Sequence, residues 1–188
     1  MKKYIIIAGV NGAGKSILFQ TQYHLKNIQR INTDEILKKF GDWKNPTDLM
    51  KAGKMTVEKL KECLDSEISF NHETTLCGHS IFRLIETAIS KGYYVEMHYI
   101  GLDSSEIAKE RVRCRVKKGG HGIPDTDIDR RYKQSFENLK LIIPLCSLVA
   151  LYDNTMNFRR FAIYKSGKLA RLSQNVPLWW YRENFTDY

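Results

Sequence analysis

Gly9-Val10-Asn11-Gly12-Ala13-Gly14-Lys15-Ser16 fits the pattern G-x-x-x-x-G-K-[ST] and follows directly on the apolar run Tyr4 to Ala8. A strand that enters a glycine loop and leaves it as a helix aims several backbone N–H groups, and the positive end of the helix dipole, at one point in space. That point holds phosphate. Gly9, Gly12 and Gly14 can adopt positive φ and admit an anion close to the backbone, with Asn11 and Ala13 completing the cradle. Lys15 can reach the β- and γ-phosphates of a nucleotide, and the Ser16 hydroxyl can ligate Mg²⁺. The other reading, a glycine-rich turn without a ligand, does not account for the pattern falling directly after a strand.

At 188 residues the chain suits one domain with one core. Met1-Lys2-Lys3 is followed by only five apolar residues, too few for a secretory h-region, and no run approaches the roughly 18 apolar residues of a membrane span. The expectation is therefore a cytoplasmic protein with no membrane partner. Cys63, Cys77, Cys114 and Cys146 form no C-x-x-C pair, and the five histidines show no metal-type spacing, so buried free thiols are expected. The net charge of +9 calls for an acidic partner, and between Lys109 and Lys118 six of ten residues are basic. A solvated helix face explains such lysines; the arginines have a second use, positive charge turned towards a polyphosphate.

Strand-like and helix-like segments alternate, which predicts an α/β fold with helices on both faces of a mostly parallel sheet. Helices are expected at Lys15 to about Leu25, Thr33 to Phe40, Thr47 to Ser66, Ser80 to Lys91, Ser104 to Lys118 and Asp125 to Ile142. Strands are expected at Tyr4–Ala8, Asn27–Asn32, Ile68–Thr74, Tyr93–Gly101 and Ser147–Tyr152. Thr33 is placed to cap the second helix, and Asp34 and Glu35 complement its dipole. Phe158–Tyr164 and Lys168–Leu172, joined through Ser166-Gly167, read as a C-terminal β-hairpin. Pro177 opens a last short helix whose aromatics pack on the domain. No repeat or linker divides residues 1–188, read as a single P-loop domain with a helical lid at about 104–142.

The phosphate loop specifies a nucleotide, not a reaction. Phosphoryl transfer to a hydroxyl also needs Mg²⁺, a carboxylate to take or orient the hydroxyl proton, and positive groups around the transferred phosphoryl. In an open α/β sheet these gather at the carboxyl ends of the strands. Asp34 follows strand two and Glu73 ends strand three, at the edge that carries the loop. Asp34 is the candidate base, and Glu73 a substrate or metal contact. Asp153, after an apolar strand, is a weaker metal candidate, since Asp-Asn is also ordinary turn chemistry. Arg111 and Arg115 share a helix face, and Arg130 and Arg131 lie on the next helix, across Gly119-Gly120-His121-Gly122-Ile123-Pro124. Two such helices can close over the phosphates, Arg115 and Arg131 at the transferred phosphoryl, Arg111 and Arg130 at the substrate; the other reading of each is a surface salt bridge, and two of the four are expected to be only that. His121 reads as either a phosphate contact or an exposed loop residue.

The chain resembles the zeta toxin family of P-loop kinases. The resemblance rests on Gly-x-Asn-Gly-Ala-Gly-Lys-Ser, Asn32-Thr33-Asp34-Glu35, Glu73-Thr74-Thr75-Leu76-Cys77-Gly78, Gly92-Tyr93, and Arg115 to His121 with Ile123-Pro124 and Arg130-Arg131-Tyr132, over roughly residues 4 to 152. It implies a three-layer sandwich like that of nucleotide and shikimate kinases. Toxin members phosphorylate the sugar 3′-hydroxyl of UDP-N-acetylglucosamine with ATP, and the family is met with small antitoxin proteins. By resemblance, Lys15 holds the ATP phosphates, Ser16 the Mg²⁺, Asp34 activates the acceptor hydroxyl, Glu73 and Thr74 face the substrate, and arginines from the Arg111 to Arg131 region neutralise the phosphates. Gly119-Gly120-His121-Gly122 stands where the toxins carry a different lid segment.

Three functions follow. The first is an ATP-dependent kinase acting on a hydroxyl of a small acceptor, a UDP-sugar by resemblance. The second is a kinase of nucleic-acid ends, served by the basic charge, with Trp179-Trp180 as a stacking platform. The third is a non-catalytic ATP-binding regulatory module.

Overall fold

Residue alternation along the first strand divides the interior in two. In β1 (Lys3–Ala8) the side chains of Tyr4, Ile6 and Ala8 face one side of the sheet and those of Ile5 and Ile7 the other, and all five are buried. A strand apolar on both faces has to be covered on both, which is how a parallel strand in an α/β fold reads. The computed structural model describes residues 1–22, Leu25 and 27–185. Its seven strands form one sheet in the order β2-β3-β1-β4-β5-β6-β7. These are β2 (Gln29–Asn32), β3 (Phe70–Thr74), β4 (Tyr94–Gly101), β5 (Leu148–Asp153), β6 (Arg159–Lys165) and β7 (Lys168–Leu172). The first five run parallel, and β5, β6 and β7 are antiparallel neighbours.

The helices are α1 (Lys15–Thr21), α2 (Thr33–Leu37), α3 (Pro46–Asp65), α4 (Ser80–Ser90), α5 (Ser105–Lys117), α6 (Asp125–Ile142) and α7 (Leu178–Arg182). Leu60 and Leu64 of α3, Ile81 and Ile85 of α4, and Phe136 and Leu139 of α6 pack on the Tyr4 face. Leu18 of α1 and Ala108 and Val112 of α5 pack on the Ile5 face. The result is the expected three-layer sandwich with a C-terminal hairpin. The expected continuation of α1 to Leu25 passes through Tyr23 and His24, which lie outside the described residues. No helix among the described residues is long and apolar enough to cross a membrane.

Three local expectations are corrected. Asn32, not Thr33, caps α2: its Oδ1 accepts from the backbone N–H of Asp34 at 2.8 Å and of Glu35 at 3.2 Å. Thr33 is already the first helical residue, and an amide oxygen one position earlier reaches both amides. Of the four thiols, Cys63 and Cys146 are buried, Cys77 is partly exposed and Cys114 is exposed, because it falls on the outer face of α5. The Trp179-Trp180 pair is no platform either. Both rings are fully or almost fully buried, at 0% and 2% exposure, among Phe136, Phe161 and Phe185. A Cβ added at Gly101 would lie 2.4 Å from the Trp179 ring, so the end of β4 has room for this tryptophan only as glycine.

Candidate functional site

The parallel register brings the carboxyl ends of β1, β3, β4 and β5 to one edge, where Ala8 stands beside Thr74 and Tyr99, and Gly101 beside Asp153. From this edge β1 turns into the glycine loop. Gly9 (φ 141°) and Gly14 (φ 99°) hold conformations that side-chain-bearing residues rarely adopt. A Cβ on Gly9 would lie 2.4 Å from the Ile100 carbonyl oxygen, and one on Gly14 2.4 Å from Asn154 Nδ2. Asn154, just past β5, pins the loop from the side by donating from Nδ2 to the Ala13 carbonyl at 2.8 Å.

Lys15 folds back over the loop, its buried ammonium donating to the Gly9 and Val10 carbonyls at 2.9 and 3.2 Å. Burial lowers its pKa, and Arg115 and Arg131 push the same way against the opposing pull of Glu73 and Asp34. Ser16, the second residue of α1, is exposed.

In front of the loop lies a cavity of about 540 Å³. Asn11, Lys15, Asp34, Glu73, Thr74, Arg115, Arg130 and Arg131 all line it, so most of the site residues expected from the sequence converge on one space. Their supports differ. Arg131 donates to Asn11 Oδ1 at 3.0 Å and is thereby anchored to the loop. Arg115 donates from Nε to the His121 carbonyl at 2.7 Å, while its Nη2 is buried without a protein partner. A charged donor left unpaired inside a protein is costly. Arg130 lines the cavity but is largely exposed and pairs with Asp127 at 2.8 Å.

Arg111 stands apart. It donates to the carbonyls of Asn154 at 2.8 Å and Thr155 at 3.1 Å, borders a separate cleft behind α5, and does not line the cavity that holds Lys15 and Asp34. Although it shares a helix face with Arg115, the tail of β5 captures it first.

The carboxylates Asp34 and Glu73 line the same cavity. Glu73 Oε2 accepts from Arg30 Nη2 and Asn32 Nδ2, both at 2.8 Å. The Arg30 guanidinium lies 3.8 Å from the centre of the Phe19 ring. Asp34, in the first turn of α2, is 40% exposed at its side chain. Its Oδ1 lies 3.9 Å from Nε2 of His121, which is buried against the Trp43 ring rather than exposed. Burial lowers the His121 pKa; Asp34 opposes this, and Arg115, Arg131 and Lys38 add to it. Asp153 is engaged structurally, its Oδ1 accepting from Thr155 Oγ1 at 2.7 Å and Trp179 Nε1 at 3.3 Å, and its Oδ2 facing Arg159.

Sequence reasoning missed Asn32, Arg30, Trp43 and Asn154. Asn154 carried a signal in its place after an apolar strand, but the choice between it and Asp153 depends on which side chain turns towards the loop. The residues present fit a nucleotide with Mg²⁺: the glycine loop, Lys15 and the arginines suit phosphate, and the threonine hydroxyls and the carboxylates of Asp34 and Glu73 in the same cavity suit a hard cation.

Comparison with known proteins agrees with this geometry. The zeta toxin family model matches residues 1–154. An uncharacterized protein of Haemophilus influenzae is 33% identical over 130 residues, covering 69% of this chain and 92% of its own. Among solved structures, the AvrRxo1-ORF1:AvrRxo1-ORF2 complex with sulphate ions contains a chain that matches with a TM-score of 0.71 at 15% identity. That match covers 91% of this chain and 61% of the other, so this chain spans less than two thirds of that relative; the complex also exists with ATP, matching at a TM-score of 0.68, 14% identity and 91% and 60% coverage. The PezAT chromosomal toxin-antitoxin system of Streptococcus pneumoniae contains a chain matching with a TM-score of 0.64 at 18% identity, over 84% of this chain and 71% of that one. Family and fold together support a nucleotide-binding, P-loop kinase-type function.

Proposed function

Because the chain belongs to the zeta toxin family, we propose that it is an ATP-dependent kinase that transfers the γ-phosphoryl to a hydroxyl of a small, sugar-nucleotide-like acceptor. The observation that carries this reading is the shared cavity, which Lys15, Arg115 and Arg131 line together with Asp34 and Glu73. A non-catalytic nucleotide site does not need carboxylates facing its polyphosphate; a transfer site does.

The loop amides and Lys15 hold the donor phosphates, and Arg131, braced on Asn11, reaches the γ-phosphoryl from α6. Arg115 offers its unpaired Nη2 to the same charge from α5. Bound Mg²⁺, held by Ser16, would neutralise charge on the phosphate oxygens. Asp34 accepts the acceptor hydroxyl proton as the oxygen attacks phosphorus, and Glu73, fixed by Arg30 and Asn32, receives the rest of the acceptor with Thr74. Helices α5 and α6 and the segment between them act as the lid over the bound phosphates. By likeness to the toxin-antitoxin complexes, a small antitoxin is the proposed protein partner.

The test is transfer from γ-labelled ATP with Mg²⁺ to UDP-sugars, nucleosides and 5′-hydroxyl oligonucleotides in parallel. Label on a UDP-sugar is expected. Label on oligonucleotides alone would replace the acceptor class, and no label anywhere, with ATP bound, would leave the regulatory reading.

A further inference from the structure

His121 is buried in a place where loop residues are usually solvated. Its neighbours Lys118 and Gly119 are exposed, whereas the imidazole is 9% exposed and lies against Trp43, with ring centroids 5.6 Å apart. Among the described residues neither ring nitrogen makes a hydrogen bond. Its nitrogens are not sealed off inside the protein, so a polar group that enters the cavity this residue lines can hydrogen-bond the imidazole.

The position of that partner follows from one distance. Nε2 stands 3.9 Å from Asp34 Oδ1, too far for a hydrogen bond between them. Two hydrogen bonds of about 2.8 Å that meet at one oxygen at roughly a right angle span that separation. We propose that His121 Nε2 and Asp34 Oδ1 together bracket the acceptor oxygen, making His121 a catalytic residue that orients the hydroxyl.

This inference rests on Asp34 being the base. In the transfer, the acceptor proton goes to Asp34 and one oxygen lone pair forms the new O–P bond. The bond from γ-phosphorus to the bridging oxygen breaks, and ADP leaves with its electrons. The neutral imidazole, whose burial disfavours the cation, donates its Nε2 hydrogen to the remaining lone pair and fixes the angle of attack. The charged groups facing it are Asp34 and Lys38 from the α2 segment, Arg115 from α5 and Arg131 from α6. The same residue's carbonyl holds Arg115 Nε. Acceptor grip and phosphate grip therefore arrive together when the lid segment packs on Trp43.

The test uses the full chain with ATP and Mg²⁺, with water as the acceptor, reading phosphate release beside ATP affinity. His121→Phe keeps the ring on Trp43 and removes the donor; His121→Gln returns an amide nitrogen near the Nε2 position. His121→Phe should keep ATP affinity within about twofold and lose at least about tenfold in turnover, with His121→Gln recovering most of it. His121→Met replaces the Phe variant if that does not fold. Turnover within about threefold of wild type in the donor-less variant overturns the inference. So does a parallel loss of ATP affinity, which would make His121 only a brace for Arg115. Asp34→Asn run alongside separates the claims: its loss with no loss at His121 leaves the kinase reading standing, while unchanged turnover in Asp34→Asn refutes that reading itself.

Discussion

Replacing Asn32 with alanine should disturb the fold and the chemistry together, since one amide serves both. Its Oδ1 caps α2 through two backbone N–H groups, and its Nδ2 donates to Glu73 Oε2. Loss of a cap of this kind costs about 1 kcal/mol. The bond to the carboxylate adds about 1 kcal/mol, below the roughly 1.5–3 kcal/mol usual for charged acceptors, because Arg30 still holds the same oxygen. Asn32→Ala should therefore lose about 2 kcal/mol, and Asn32→Ser, which keeps a capping oxygen, about half of that. With a urea slope of roughly 2 kcal/mol per molar, the midpoints should move by about 1 M and 0.5 M. Both variants should lose transfer activity, because Glu73 loses one of its two anchors. Equal midpoint shifts for the two variants would refute the division between cap and carboxylate contact. A midpoint for Asn32→Ala within about 0.2 M of wild type would refute the whole assignment.

Two further outcomes follow from buried groups. His72 is pressed down from its usual 6.5 to about 4 by burial, with its Nδ1 against the Tyr4 hydroxyl at 3.0 Å. The unfolded chain takes up this proton first, so stability present above pH 6.5 should drain away as pH falls towards 4, by about 3 kcal/mol in all. Denaturation across that window should show the slope, and His72→Asn should flatten it; an unchanged slope would mean that other groups titrate there. Trp179→Ala removes a fully buried ring between Gly101 and Phe136 and should cost about 4 kcal/mol, lowering the melting temperature by roughly 10 °C. A melting temperature within about 2 °C of wild type would show that the C-terminal helix does not hold the sheet end.

What could be read from the sequence was whatever repeats locally. The run Tyr4 to Ala8 announces a strand buried on both faces, and the glycine loop announces a strand-to-helix turn, because both are fixed by neighbours in the chain. The carboxylates at Asp34 and Glu73 could be placed because strand ends of a parallel sheet share an edge. What stayed hidden depends on partners far along the chain. Asn154 reaches Ala13 across 141 positions, and Arg111 is drawn to the tail of β5 rather than to the cavity. His121 sits in a glycine-rich stretch that reads as solvated until Trp43, from a loop before α3, is seen to cover it. The tryptophan pair likewise looked available for stacking only while Gly101 and Phe161 were not known to lie beneath it.

The central claim is that one cavity holds both the donor grip and the base. The most direct measurement is transfer of label from γ-labelled ATP by Asp34→Asn, with ATP affinity measured on the same protein. ATP affinity should stay within about twofold of wild type and transfer should fall by at least about 100-fold, the usual share of a positioned base. Transfer at the wild-type rate with affinity intact would contradict the account.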